Sequence, residues 1–313
     1  MRIRFWKSIL FVFFFCFLAA AFYFFNLRIF LADYYYNRTL LTEDWPEVLA
    51  AYQKVFLFQP AEPFYHQQFA LDLDWGLKFY QSDESKMKVL DLAVSQMEKI
   101  EERERSYSVA IYLARLLAHR ADLSRVQGDF AKAEQAFVQA AMLAPQMARV
   151  YTDWCQLKVY EQEWEQAREM CQRAFHLYPP LDHPQMNQEH RGLVAVEMVG
   201  LYENLGEIYV NLGDYDKAES MYRQILKFVP LSRPDIWKKW GDVYYLQGDL
   251  DGAIEKNFHG YTLKPRDPFW SLTLALLYRG KGDEESARFW AENILRLDPG
   301  NKQAKTLLDK LGV

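Results

Sequence analysis

Three histidines have the types and spacing that first invite a chemical role. His176, His183 and His190 recur at seven-residue intervals beside Asp182 and Glu189, and imidazole with carboxylate is a donor set that holds zinc. A helix would align the three rings on one face. Pro179, Pro180 and Pro184 interrupt any such helix, because proline lacks the amide donor and clashes with the preceding turn. The segment reads as a solvated loop with scattered histidines and no metal. No GxxxxGK[ST], GxSxG or HExxH run occurs, and Cys16, Cys155 and Cys171 form no close pair. Asn37-Arg38-Thr39 is a formal glycosylation sequon that by itself identifies no reaction. The expectation is a non-enzymatic protein without cofactor or small-molecule substrate.

Apolar side chains are abundant instead. Half of the 313 residues are hydrophobic and 16% are aromatic, ample for a core, while 14 Gly and 12 Pro are too few for a turn-rich β fold. The net charge is −5, and residues 1–28 hold Arg2, Arg4, Lys7 and Arg28 with no acid, so the remainder is more acidic still. That balance argues against nucleic acid as a partner.

Residues 8–25 carry no charge, and at about 1.5 Å per residue they would span roughly 27 Å, near the thickness of a bilayer core. Arg2, Arg4 and Lys7 precede the run, which by the positive-inside rule keeps the N-terminus cytoplasmic. Ala19-Ala20-Ala21 offers an alternative, a signal-peptide cleavage site, but the apolar Phe22-Tyr23-Phe24-Phe25 beyond it favours a retained anchor. Cys16 follows three phenylalanines, unlike a lipid-attachment site. The expectation is a single-pass plasma (inner) membrane protein with residues 1–28 as stub and signal-anchor and the rest outside the cytoplasm. A cytosol-facing orientation stays open.

Beyond residue 28 the chain repeats itself. Leu205-Gly206, Tyr209, Gly213-Asp214-Tyr215, Ala218, Tyr222 and Pro230 are followed by Trp240-Gly241, Tyr244, Gly248-Asp249, Ala253 and Pro265. Leu274-Ala275, Tyr278, Gly282-Asp283, Ala287 and Pro299 repeat the order again. Pro265 and Pro299 are 34 residues apart, as are Pro145 and Pro179. Small residues let two helices approach, larger ones fill the space beside them, Gly-Asp turns and caps, and proline ends each second helix. These segments resemble tetratricopeptide repeats, whose unit is a pair of antiparallel helices.

The resemblance implies an all-α fold in which an N-terminal transmembrane helix is followed by a right-handed superhelical solenoid of antiparallel helix pairs. Its units are read at 29–62, 63–105 (degenerate), 107–147 and 148–181, then 199–232, 234–267 and 268–301, with a capping helix at 302–313. Residues 182–198 read as an insert that becomes helical after Asn187 and divides two arrays. Cys155 and Cys171 fall in one unit as packing residues; a location outside the cytoplasm would permit a disulfide, but an offset of about one turn across the hairpin leads one to expect poor geometry for it.

In this family the first helices line a concave groove that holds a partner's peptide or helix. Position by position, that implies Arg149, Thr152, Gln156 and Val159 in one unit. The next two give Glu203, Glu207, Val210 and Asn211, then Lys238, Asp242 and Tyr245. The implied function is a membrane-tethered scaffold for protein partners in a bacterial-type envelope complex. A weaker similarity, to the repeat tails of O-antigen ligase-like membrane proteins, implies an accessory role in a membrane polysaccharide pathway.

Overall fold

The computed structural model describes residues 14, 16–18, 20–179, 187–228 and 233–311. They form helices and turns, with no strand among them. Two compact units divide at Gln146 and Met147. In the first, a π-helical turn, Tyr23–Leu27, leads into α1 (Arg28–Thr39), α2 (Trp45–Phe58) and α3 (Pro63–Gly76). A short 3-10 segment, Leu77–Phe79, precedes α4 (Asp83–Glu101), α5 (Tyr107–Ser124) and α6 (Gln127–Leu143). The second holds α7 (Ala148–Glu161), α8 (Trp164–Leu177), α9 (Gln188–Asn211), α10 (Tyr215–Phe228), α11 (Pro234–Leu246), α12 (Leu250–Leu263), α13 (Pro268–Lys281), α14 (Glu284–Leu297) and α15 (Lys302–Lys310).

Helices pair with their sequence neighbours: α1 with α2, α5 with α6, α7 with α8, α9 with α10, α11 with α12 and α13 with α14. Local chemistry sets the boundaries. Proline opens α3, α11 and α13, where its missing amide costs nothing and its fixed φ suits the first turn. Gly213, Gly248 and Gly282 turn the chain at φ +75, +79 and +83, a region that disfavours other residues. After each of these turns an aspartate caps the next helix: Asp214 accepts from the Lys217 amide (3.4 Å), Asp249 from that of Gly252 (2.9 Å) and Asp283 from that of Ser286 (3.0 Å). Arg125 and Gln162 make the equivalent turns at φ 53 and 63 without glycine.

The helix interfaces of the two units are filled with small residues in some places and with bulk in others. In the second, Ala167, Ala174, Ala218, Ala253 and Ala287 are fully buried. A Cβ on Gly206 would lie 2.6 Å from the Tyr222 ring, and one on Gly260 would collide with Trp270, so these glycines permit close helix approach. In the first, Ala114 and Ala121 of α5 and Ala133 and Ala140 of α6 are buried in the same way, while from α1 to α3 bulk does the work, with Gly76 directly under Trp45. Tyr52 meets Phe69 at a centroid distance of 5.0 Å, and Trp45 stacks on Phe69 and meets Trp75 edge-on at 5.9 Å. Their polar tips are satisfied: Tyr52 Oη donates to Asp72 (2.6 Å), Trp45 Nε1 to Tyr80 Oη (3.0 Å) and Tyr65 Oη to Asp33 (2.5 Å). Burying one such large side chain stabilises by about 1.5–3 kcal/mol.

Two expectations change. Among the described residues no helix is long and apolar enough to cross a membrane, which overturns the single-pass membrane assignment. Residues 8–13, 15 and 19 of the expected span lie outside the described residues. Physically, α1 carries Arg28, Asp33 and Arg38 and buries Ala32 and Thr39, packing against α2 instead of extending an apolar rod.

The second change concerns the cysteines. Cys155 and Cys171 form a disulfide with Cα atoms 5.2 Å apart. The hairpin turns at Gln162 and Glu163, between Glu161 and Trp164. The two cysteines therefore sit nearly level across it, offset by about one residue, or ~1.5 Å, rather than by a turn.

The insert is helical after Asn187, as its sequence leads one to expect. Its residues from Gln188 onward are the opening turns of α9, continuous with the first helix of the next pair. Residues 180–186 lie outside the described residues.

Candidate functional site

The candidate surface lies in the second unit, on the outward positions of α7, α9, α11 and α13. On α7, Arg149 Nη1 donates to Glu197 of α9 at 2.8 Å and its Nε to Asp153 at 3.3 Å. Burial opposes the charge on Arg149, but the two carboxylates outweigh it and raise its pKa. Thr152 Oγ1 donates to the Ala148 carbonyl (3.2 Å) and lies 3.2 Å from Tyr178 Oη. Gln156 is half-buried. Val159 is only 6% exposed, which makes it a packing residue and corrects its placement on a ligand-facing surface: its side of α7 is turned into the core.

On α9, Glu203 accepts from Arg233 Nη2 and Lys239 Nζ, each at 2.7 Å. Burial alone would raise the Glu203 pKa; the bonds from Lys239 and Arg233 win and hold it below the usual carboxylate range. Glu207 and Val210 are half-buried, while Asn211 is exposed and donates to the Glu207 carbonyl at 2.9 Å. On α11, Lys238 pairs with Asp242 one turn along, and Tyr245 is 57% exposed.

Arg149, Glu203, Lys238 and Asp242 thus each have a partner in this chain. Exposed and partly exposed ion pairs contribute only about 0–1 kcal/mol each, so they fix side-chain positions more than they stabilise the fold. The surface that results offers hydrogen bonds, an exposed aromatic ring and positioned charge.

The same register continues where the sequence reading stopped. Adding 34 to Lys238, Asp242 and Tyr245 gives Leu272, Leu276 and Arg279 on α13. These three, with residues of α15, line a cavity of about 340 Å³. The repeat period was the signal that would have found them. A second cavity, of about 420 Å³, lies in the first unit among Glu101, Arg105, Gln139 and Met142 and mixes both signs of charge.

His176 is exposed with Nδ1 2.6 Å from the Gln172 carbonyl; His183 lies outside the described residues, and the side chain of His190 is not described. Among the described residues no three His, Cys, Asp or Glu side chains are grouped to hold a metal.

Residues 199–228, the second half of α9 with α10, match the family model "Tetratricopeptide repeat". A stretch of 102 residues is 34% identical to the BBSome complex member BBS4 of Bos taurus, covering 32% of this chain and 19% of that protein. The chain therefore spans about a fifth of that relative's length. Among solved structures, PilW, titled a widely conserved type IV pilus biogenesis factor, is 14% identical with a TM-score of 0.56, over 78% of this chain and 96% of PilW. The C-terminal part of a TPR repeat-containing protein from Cytophaga hutchinsonii is 16% identical with a TM-score of 0.55, over 88% of this chain and 98% of that one. At these identities the likeness is one of fold. The repeat match and the fold likeness together support tetratricopeptide-type helix pairs.

Proposed function

We propose that this chain, built of tetratricopeptide-type helix pairs, is a non-enzymatic scaffold that presents the first-helix face of its second unit to partner proteins. The observation that carries the proposal is the arrangement on that face. Successive first helices place equivalent positions in register, and several are already fixed by Arg149–Glu197, Arg233–Glu203 and Lys238–Asp242 ion pairs. A surface ordered before binding loses less side-chain entropy when a partner docks. Tyr245 and Asn211 remain exposed for contact, and tyrosine supplies large contact area at low entropic cost. The similarity to a protein named as a complex member agrees with this reading. The polysaccharide-pathway reading depended on the membrane span corrected above and is not carried forward.

The test is site-specific photo-crosslinking from the full chain. A photoreactive residue at Tyr245 or Asn211 is expected to give discrete protein adducts that excess unlabelled chain competes away. The same residue at Ser220 or Glu292, exposed on the second helices α10 and α14, is expected to give none. Equal crosslinking from all four positions would remove the assignment of function to the first-helix face.

A further inference from the structure

Along the first-helix face the three equivalent positions change chemistry from pair to pair. They read Glu203, Glu207 and Val210 on α9, Lys238, Asp242 and Tyr245 on α11, then Leu272, Leu276 and Arg279 on α13. On α9 and α11 the chain neutralises itself, with Arg233 and Lys239 on Glu203 and Lys238 on Asp242. On α13 it does not. Leu276 is 44% exposed, and Leu272 is half-buried beside it.

The last helix completes this end of the face. α15 packs inward through Ala304 and Leu307, joined by Leu311 just beyond its end, and its Lys302 and Lys310 stand exposed around the cavity of about 340 Å³. Arg279 closes the rim from α13. No acidic side chain lines the cavity, and none of these three cations has an ion-pair partner among the described residues. The neighbouring Lys281, by contrast, pairs with Asp251 at 2.5 Å. An apolar floor under three uncompensated cations is unusual in a chain whose net charge is −5.

We propose that this cradle between α13 and α15 docks an acidic amphipathic segment of a partner protein, with its apolar side chains on Leu272 and Leu276 and its carboxylates against Arg279, Lys302 and Lys310. Charge complementarity selects that occupant over a basic or neutral one. The cavity suits one or two large aliphatic or aromatic side chains, since small-ligand pockets start at roughly 300 Å³. The three cations lie on exposed side chains, so their attraction is screened within about a Debye length, ~8 Å at physiological salt. Binding therefore weakens as salt rises. The inference rests on the scaffold reading above and names the partner chemistry at one end of that face.

The experiment measures fluorescence anisotropy of labelled peptides titrated with the full chain. The probe is a twelve-residue peptide bearing Glu and Leu at helical spacing; one control replaces Glu by Lys and another replaces Leu by Ser. The Glu/Leu peptide is expected to bind about tenfold or more tighter than either control, the preference shrinking at high salt. The triple variant Arg279→Glu/Lys302→Glu/Lys310→Glu, whose exposed substitutions leave the packing of Ala304 and Leu307 intact, is expected to lose the Glu/Leu peptide and gain the Lys/Leu one. Leu276→Asp is expected to weaken binding while circular dichroism shows the helices retained. Equal binding of all three peptides, or a triple variant with unchanged preference, overturns the proposal. So does a dimer of the wild-type chain that the triple variant abolishes, since the cradle would then hold a second copy. Retained crosslinks at Tyr245 and Asn211 without peptide binding remove the cradle alone. Peptide binding without those crosslinks removes the broader face.

Discussion

Helices α1 to α3 of the first unit pack through large aromatic side chains with tethered polar tips, whereas the second unit, like α5 and α6 of the first, places alanine or glycine at its close contacts and adds a disulfide across one hairpin. Trp45, Tyr52, Phe56 and Phe69 interlock in the first, while Gly206 under Tyr222 and Gly260 under Trp270 set the spacing in the second. Antiparallel helix pairing thus tolerates two packing chemistries. Only the small-residue form leaves a regular sequence pattern, because a close approach fixes which position must be small. A filled gap only fixes the total volume.

The largest effect expected from breaking this contrast is at Trp45, 1% exposed in the first unit. Trp45→Ala removes the ring that Phe69 and Trp75 pack against and should cost about 3–5 kcal/mol. Native-state hydrogen exchange should show the loss in α2 to α4. An unchanged exchange pattern there would mean that the aromatic cluster does not hold the unit. In the second unit, reducing Cys155–Cys171 opens a link of sequence separation 16 and should lower stability by about 3 kcal/mol on the chain-entropy account. Denaturation with and without reductant reads this directly. No difference would assign the α7–α8 hairpin to alanine packing alone.

A third contrast is the dependence on pH. His66 stacks on Phe56 at 4.4 Å and is 1% exposed. Burial pushes its pKa from 6.5 down to about 4, against the Pro60 carbonyl and with help from Lys99. Between those values the unfolded chain binds a proton that the folded chain does not. Stability is therefore unaffected above about pH 6.5 and falls as pH drops towards 4, by up to about 3 kcal/mol. His66→Phe keeps the stack and should flatten that part of the profile; a profile that survives the substitution would implicate other groups.

Smallest are the glycine-free turns at Arg125 and Gln162. A left-handed backbone costs an ordinary residue about 1–2 kcal/mol, partly offset by the greater unfolded-state freedom of glycine. Arg125→Gly and Gln162→Gly should therefore each raise stability by about 0.5–1 kcal/mol, seen as a higher urea midpoint. A lower midpoint would show that these turns are relaxed as they stand.

What could be read from the sequence follows the same contrast. The Gly-Asp turns, the buried alanines and the closing prolines located α9 to α14 because each reports a local backbone requirement. α1 and α2 were found as helices, but their packing was not, since no spacing rule says which aromatic meets which. The cysteine pairing depended on the position of one hairpin turn, and an inferred offset of about one helical turn across it hid the pairing. For the proposed face, the repeat register alone singles out positions such as Arg149, Glu203, Lys238 and Tyr245. Pairings such as Glu203 with Arg233 and Lys239 join side chains from different helices and carry no local signal. Leu272, Leu276 and Arg279 were within reach of the repeat period, but their meaning depends on α15 lying beside them.

α9 is 24 residues long where its partner α10 is 14, about 36 Å against about 21 Å. Its opening turns lie along α7 and α8, joined by Arg149–Glu197, and its later turns pair with α10. One unbroken rod therefore crosses the joint between successive helix pairs. Bending at that joint would have to break backbone hydrogen bonds along the rod rather than slide side chains past one another. α9 acts as a splint, and a pull applied near Gln188 is carried axially to the Gly206–Tyr222 contact.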